Sequence, residues 1–263
     1  MMKEKQYFDE LILNSLILSD SKIKKYLIPD SVYFNLQYLK SLKDELIKAV
    51  LYKQFARELQ ETRRGNGKIK MCSVASSSRL CFLNFQPQKY QMEYDLSTGN
   101  KNIKAHLDAF NREDTYFECK CHEIFDMHEP LKASYSKKLK EVFDINCRIE
   151  EDNLILRLNN FNIDDNRLIS YLRFDMKQFI CHLLGMANNG GGKLQYIFFT
   201  PSKRLIEQAC WCKEIYNELD KELSKIWNSN VITQMCKQNR ISLLPPYKIE
   251  VQKIKDFVLE KLE

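Results

Sequence analysis

Three residues near the middle of the chain, Asp108, Glu118 and Lys120, have side chains suited to hydrolysis of a phosphodiester bond. Two carboxylates on neighbouring strands offer oxygen ligands to Mg2+, which completes its coordination with water and phosphate oxygens. A cation held there polarises the phosphoryl group and lowers the pKa of bound water, and a nearby lysine can orient that water and offset charge on the phosphate. The spacing Asp-x9-Glu-x-Lys is weak by itself, because a salt-bridged surface hairpin would show the same residues.

Two strands around a polar turn are predicted to position these residues. Side chains alternate between the faces of a strand, so Glu118 and Lys120 share one face while Cys119 lies on the other, in an apolar layer. A two-residue loop at 112–113 would place Asp108 and Glu118 on opposite faces, whereas a three-residue loop at 112–114 places them directly opposite each other. The site as drawn therefore requires the odd-length loop or a bulge.

A third strand is predicted before this hairpin. Residues 89–96 alternate between apolar and polar side chains, and the Ser-Thr-Gly-Asn sequence at 97–100 is typical of a turn. Three strands would then run in order as a meander. In that arrangement Glu93 can share the polar face with Asp108, or it can simply meet solvent.

The remaining segments predict helices and two or more further strands. An apolar pattern over 7–18 and a leucine pattern over 39–59 indicate helices. Glu58 and Glu61 lie late in the second of these and could reach a site. The serines at 76–78 can cap a helix that continues to residue 85. Further along, we expect helices over 133–143, 164–189 and 202–228, a strand or the start of a helix over 153–158, a strand over 193–200, and an edge strand near 248.

The composition is that of an ordinary globular protein. The 263 residues are 44% apolar and 29% charged, without a run apolar enough to span a membrane and without a signal peptide, so a cytoplasmic location is expected. The formal charge of +6 permits a polyanionic partner without requiring one. We predict one α+β domain, with a helical extension at 1–68, a core at 69–200 and C-terminal helices with an edge strand at 201–263.

Nine cysteines raise the alternative of a zinc site. Two Cys-x-Cys pairs, Cys119 with Cys121 and Cys210 with Cys212, could bind zinc together with His122 or His128. Structural zinc sites more often use Cys-x2-4-Cys spacing, and Cys-x-Cys on a strand places both thiols on its buried face. Reduced core thiols are therefore the simpler interpretation.

With these residues in view, the chain resembles the PD-(D/E)XK nuclease superfamily, and within it the bacterial restriction-endonuclease-like proteins. The likeness covers about residues 73–200. It is carried by Ser-Ser-Ser-Arg-Leu-Cys-Phe at 76–82, His-Leu-Asp at 106–108, Tyr-Phe-Glu-Cys-Lys-Cys-His-Glu at 116–123, and Met-Lys-Gln-Phe at 176–179 before the strand from Lys193. The resemblance implies an α/β/α core in which a helix, three antiparallel strands, a second helix and a fourth strand form a mixed sheet flanked by helices.

The resemblance also implies an activity and a set of roles. Asp108 and Glu118 would bind Mg2+ or Mn2+ and Lys120 would be the catalytic lysine of a DNA endonuclease, such as a restriction or defence enzyme. Gln178 matches the glutamine that some relatives place in the later helix, and it would contact substrate, as could His106 and Arg79. Two departures stand out: Leu107 replaces the usual proline, and the third carboxylate is unassigned, with Glu93 as one candidate.

Other functions fit the same sequence. A nuclease-like fold can bind nucleic acid or another protein without catalysis, and nothing in the residues excludes this. A homodimer is also compatible with the chain.

Overall fold

The computed structural model describes residues 2–19, 21–35, 37–38, 69–85, 89–100, 103–125, 133–150, 153–158, 166–169 and 173–251. The leucine-rich helix expected over 39–59, with Glu58 and Glu61, lies outside these residues, as does His128. Within them the fold is mixed α+β, with a mixed β-sheet flanked by helices. None of the helices in these ranges is both long enough and apolar enough to cross a membrane.

The main sheet has six strands. They are β1 (Gln91–Asn100), β2 (Ile103–Phe110), β3 (Thr115–Lys120), β7 (Gly192–Thr200), β8 (Ile241–Leu243) and β9 (Tyr247–Glu250). The first three form an antiparallel meander, β7 is parallel to β3, and β8 and β9 both pair in parallel with the far edge of β7. The meander, the strand at β7 and the edge strand near 248 agree with the sequence, whereas β8 was not expected.

The β2–β3 hairpin has the register that the site requires. Ala109 pairs with Phe117 and Phe110 with Tyr116, so Asp108 lies opposite Glu118. The loop at 112–114 has three residues and is held by Asn111, whose side-chain oxygen accepts hydrogen bonds from the three following backbone N–H groups at 113, 114 and 115. The prediction of an odd-length loop is confirmed.

Strand β1 differs from the sequence prediction in two ways. It continues to Asn100 through an irregularity between Ser97 and Asn100, so the turn expected at 97–100 is wrong. Backbone pairing with β2 outweighed the turn propensity of these residues, because each extra ladder hydrogen bond satisfies polar groups on both strands. Glu93 has a φ of 51°, a left-handed conformation that is uncommon outside glycine and asparagine.

Helices cover both faces of the sheet. The first two are α1 (Met2–Ser19) and α2 (Ser77–Asn84), and α2 begins at the predicted cap, because the Ser76 hydroxyl accepts from the Arg79 N–H at 3.2 Å. Helix α4 (Met176–Asn188) packs against β1 and β2. Its Gly185 allows the close approach, since a Cβ there would lie 2.6 Å from the Ala105 Cβ.

The helix expected over 164–189 is shorter than predicted. Residues Asn166–Ile169 form strand β6, and α4 begins only after Asp175, whose carboxylate accepts from the Gln178 N–H at 2.9 Å and caps the helix. The buried carboxylate of Glu222 accepts hydrogen bonds from the N–H groups of Arg173 and Phe174. These contacts hold the chain extended just before α4.

A second, smaller sheet lies between β3 and α4 in the chain. Helix α3 (Ala133–Phe143) leads into β4 (Ile145–Glu150), β5 (Asn153–Leu158) and β6, which form a three-stranded antiparallel sheet. The helix over 133–143 is confirmed, and residues 153–158, for which strand and helix start were both open, form a strand. Strands β4 and β6 were not predicted.

Three helices lie between β7 and β8 in the chain. They are α5 (Lys203–Gln208), α6 (Cys210–Trp227) and α7 (Asn230–Gln238), so the single helical run expected over 202–228 is interrupted at Ala209, and α7 is additional. An aromatic cluster joins α6 to α4 and β7, with Tyr196 packed against Phe174 at 5.0 Å and Trp227 at 6.0 Å between ring centroids. This cluster lies directly behind the start of α4 and fixes its position on the sheet.

Candidate functional site

Asp108 lies where β2 and β3 separate. Its Oδ2 accepts the hydrogen bond from the Cys119 N–H at 2.6 Å, so a side chain of β2 takes the place of a backbone carbonyl. Partial burial and the nearby charge of Glu118 raise the pKa of Asp108 well above its usual value, while Lys120 and the Cys119 N–H oppose that shift. Two carboxylates close enough to disfavour each other's charge are an arrangement that a bound cation would relieve.

Glu118 is buried, with 3% of its surface exposed, and is held by polar groups on several sides. Its Oε1 accepts from Lys120 Nζ at 2.6 Å and from Gln178 Nε2 at 2.8 Å, and its Oε2 lies 3.6 Å from His182 Nε2. Burial raises the pKa of Glu118, and the ammonium of Lys120 acts in the opposite direction. With two donors on one oxygen, we take the carboxylate to be ionised at neutral pH.

Lys120 is the cation of the site. Its Nζ donates to Glu118 and also to Gln178 Oε1 at 2.5 Å. Burial by itself would lower the pKa of Lys120, but the surrounding carboxylates of Glu118, Glu123 and Asp108 raise it above its usual value. The amine is therefore protonated at neutral pH and cannot act as a base.

Gln178 connects the two charged groups from α4. Its carbonyl oxygen accepts from Lys120 and its amide nitrogen donates to Glu118, so one side chain fixes both. Gln178 lies in the first turn of α4, which Asp175 caps. The structure thus brings Gln178, which the resemblance implied as a substrate contact, together with Glu118 and Lys120.

Glu93 occupies a position on β1 next to this group. Met92 pairs with Ala109 and Tyr94 with Leu107, so Glu93 lies opposite Asp108. Its charge contributes to the raised pKa of the Cys81 thiol on α2. The left-handed backbone at Glu93 costs about 1–3 kcal/mol, and such conformations cluster at functional sites.

Glu123 is a carboxylate of this neighbourhood that sequence reasoning did not assign. It lies in a short 3-10 helix, His122–Phe125, and accepts from the Ser77 hydroxyl at 2.6 Å and from the Cys121 N–H at 2.7 Å. Although burial would raise it, the pKa of Glu123 is lowered to about 2 by His122, Lys120 and these two hydrogen bonds. A Glu-x-Lys-x-x-Glu spacing was visible in the sequence, but its partner Ser77 is far away in the chain.

Two candidate substrate contacts lie elsewhere. Arg79 is fully buried: it donates to the Val74 carbonyl at 2.5 Å and its guanidinium lies over the Phe34 ring at 4.7 Å, so it belongs to the core rather than to a surface that a substrate could reach. The His106 ring is exposed and pairs with Asp95 on β1, and only its backbone carbonyl faces the site, through His182. The structure does not bring either side chain to Glu118.

The cysteines of the hairpin face the core, as predicted. Cys119 and Cys121 are buried, and the Cys119 thiol lies near the Cys81 thiol on α2. Because Cys119 contacts α2 while the adjacent Glu118 contacts α4, these helices lie on opposite faces of the sheet. Burial raises the pKa of the Cys119 thiol to about 11, which leaves it unreactive. His122 follows the end of β3, and its Nδ1 lies 2.8 Å from the Ala75 carbonyl just before α2, so it does not share the face of Glu118.

The oxygen ligands present suit a hard cation. Across the described residues, no three His, Cys, Asp or Glu side chains are grouped as a ready-made metal centre. Asp108 and Glu118 would supply two carboxylates, which is the number Mg2+ commonly takes before water and phosphate oxygens complete its shell. The raised pKa of Asp108 beside Glu118 fits this role.

Comparison of the chain with protein-family models, with curated proteins and with solved structures gives no match.

Proposed function

We propose that this protein is a Mg2+-dependent endodeoxyribonuclease that hydrolyses phosphodiester bonds in DNA, with Asp108, Glu118 and Lys120 as its working residues. The observation that carries the proposal is the arrangement of two carboxylates with raised pKa values beside a protonated lysine, where β2 and β3 separate. The resemblance of the Asp…Glu-x-Lys segment to PD-(D/E)XK nucleases supports it, as does the order α2, β1–β3, α4, β7, in which α3 and β4–β6 are inserted before α4. Mn2+ could replace Mg2+.

Asp108 and Glu118 would hold the cation, with Glu93 close enough in register to assist. When bound, Mg2+ polarises the phosphoryl group and lowers the pKa of a water. Lys120 Nζ has three N–H donors, of which Glu118 and Gln178 take two among the described residues. The third can donate to the attacking water or to a phosphate oxygen, and the positive charge offsets charge that develops there.

The protein's charge suits a polyanion, since its formal net charge is +6. A restriction or defence role is part of the proposal, in a cytoplasmic protein that acts alone or as a homodimer. The rival proposal is a protein that uses the same surface to bind nucleic acid without cleaving it.

Cleavage of supercoiled plasmid with and without Mg2+ tests the proposal. Asp108→Asn and Lys120→Met should abolish cleavage, with losses of at least ~100-fold. Asp114→Asn and Lys193→Met are matched controls, because these residues form an exposed pair at the other end of β3, with Nζ and Oδ2 2.8 Å apart, and should cleave like the wild type. Equal cleavage by all variants would reject the assignment, and binding without cleavage by the wild type would favour the rival.

A further inference from the structure

His182 links three strands of the main sheet at the point where the candidate site opens. It lies one turn after Gln178 on α4 and is 1% exposed. Its Nδ1 is 2.8 Å from the Tyr196 hydroxyl on β7, and its Nε2 is 2.8 Å from the His106 carbonyl on β2. The same Nε2 is 3.6 Å from Glu118 Oε2 on β3.

The chemistry of these partners fixes the tautomer of the ring. A carbonyl oxygen can only accept, so Nε2 carries the hydrogen and donates it to His106. Nδ1 is then the acceptor for the Tyr196 O–H. The Tyr196 side chain is buried and its hydroxyl has His182 as its only hydrogen-bond partner among the described residues, so the O–H donates to Nδ1. A ring that accepts at Nδ1 and donates from Nε2 is neutral, so its separation from Glu118 is not an ion pair. Both ring nitrogens thus have a hydrogen-bond partner: Nδ1 accepts from Tyr196 on β7, and Nε2–H donates to His106 on β2.

The hydrogen bond from His182 to His106 lies close to the point where β2 and β3 separate. His106 lies two residues before Asp108, and the regular β2–β3 pairing has already ended at Ala109 and Phe117. Beyond that pair the strands are joined through side chains, by Asp108 to the Cys119 N–H. The hydrogen bond from His182 to the His106 carbonyl is therefore a second contact that holds β2 where it separates from β3. The same ring lies beside Glu118 on β3.

We propose that His182 is a positioning residue that sets the separation of Asp108 from Glu118, with Tyr196 fixing the orientation of its ring. The inference rests on the proposed function, because that separation matters when a cation is held between the two carboxylates. A histidine that only fills the core would need its shape and not its Nε2–H.

Four variants distinguish these roles. His182→Gln can place an amide N–H near the position of Nε2, whereas His182→Asn keeps an acceptor near Nδ1 but cannot reach His106. Tyr196→Phe removes only the hydroxyl that orients the ring. Cys181→Ala is the matched control: the adjacent residue of α4 makes a contact from its thiol to the Lys104 carbonyl of β2 at 3.4 Å, farther from the separation.

Three measurements on folded protein report the result. A long-range 1H–15N spectrum of the wild type shows the ring tautomer, hydrogen exchange of the Cys119 amide reports the separation directly, and Mn2+ titration followed by electron paramagnetic resonance reports cation affinity. For His182→Asn we expect Cys119 exchange about tenfold faster and Mn2+ binding ~10- to 100-fold weaker. His182→Gln and Cys181→Ala should stay within about threefold of the wild type, and Tyr196→Phe should lie between.

The outcomes separate the two proposals. Wild-type protein that binds Mn2+, together with unchanged exchange and affinity in His182→Asn, would overturn the role of His182 alone. Equal losses in the Gln and Asn variants would also overturn it, because shape would then be what matters. Wild-type protein that binds no Mn2+ would overturn the proposed function and this inference with it. If His182→Asn does not fold, Tyr196→Phe and the wild-type tautomer decide: an Nδ1–H ring, or Tyr196→Phe identical to wild type, overturns the inference.

Discussion

The Asp108 carboxylate accepts the N–H of Cys119 at 2.6 Å, and so a side chain of β2 replaces the backbone pairing of β2 with β3. Asp108 and Glu118 lie just beyond the last regular pair of these two strands, and Lys120 follows Glu118 on β3.

Asp108→Asn is expected to stabilise the metal-free protein while removing activity. Because the pKa of Asp108 is raised in the folded state, its contribution to stability is fully present below the unfolded value near 3.8 and is lost as pH rises through the folded pKa. Asparagine keeps an oxygen for Cys119 and removes the unfavourable charge. Thermal denaturation at pH 7.5 should show a higher Tm for the variant, with a gain of roughly a few degrees.

The difference in Tm between the wild type and Asp108→Asn should depend on pH and on metal, and this dependence is the control. The Tm values of wild type and Asp108→Asn should converge as pH is lowered to about 4. Added Mg2+ should raise the Tm of the wild type and not that of the variant. A variant less stable than the wild type at pH 7.5 would mean that the carboxylate is not under electrostatic strain.

Glu123→Gln is expected to destabilise the protein by about 1–3 kcal/mol at neutral pH, because its carboxylate accepts hydrogen bonds from Ser77 and Cys121. The pKa of Glu123 is lowered from 4.5 to about 2, so this stability is present above pH 4.5 and lost as pH falls toward about 2. Urea denaturation at a series of pH values measures it. Glu141→Gln is the control, since that glutamate is exposed and pairs only with Lys137 and Lys138 among the described residues, and its effect on the free energy of unfolding should be small.

Gln178→Ala should lower the cleavage rate by ~10- to 100-fold, mainly in kcat, because the amide orients both Glu118 and Lys120. Steady-state cleavage of a labelled duplex separates kcat from KM. Gln195→Ala provides the comparison: its amide donates to the Pro245 carbonyl on the surface at 3.4 Å, and its removal should leave both constants unchanged. A matching loss in both variants would argue for a general effect on folding.

Gly185→Ala should destabilise the protein by about 1–3 kcal/mol, because the new Cβ would lie 2.6 Å from the Ala105 Cβ and 3.0 Å from the Leu96 Cβ. Helix propensity alone would favour alanine by about 1 kcal/mol, so the sign of the change tests the close packing. Adding Ala105→Gly removes the facing methyl group and should restore part of the loss. Chemical denaturation of the single and double variants measures the coupling.

The hairpin and its register could be predicted from sequence because they depend on local periodicity. Side chains alternate along a strand, so the length of the loop at 112–114 determines whether Asp108 faces Glu118. The cap at Ser76 likewise depends on residues close in the chain. Features of this kind can be predicted because the residues that determine them are neighbours in the sequence.

What could not be predicted depends on contacts between distant residues. Ser77 and Glu123 are 46 residues apart, and no local pattern joins them. The position of Arg79 in the core depends on Phe34, and a basic residue in a serine-rich segment gives no sign of that burial. The start of α4 depends on Glu222, which holds the chain before it, so the sequence pattern upstream predicts a helix where the structure has strand β6.

The parallel pairing of β3 with β7 has a consequence for how the site forms. Thr115 and Lys193, which begin this pairing, lie about 80 residues apart, and closing so long a segment is slow compared with forming a meander. On the ribosome, Asp108 and Glu118 are synthesised well before Gln178 and His182. The emerging chain therefore holds an acidic hairpin without its organising helix, and maturation of the site waits for the second half of the protein.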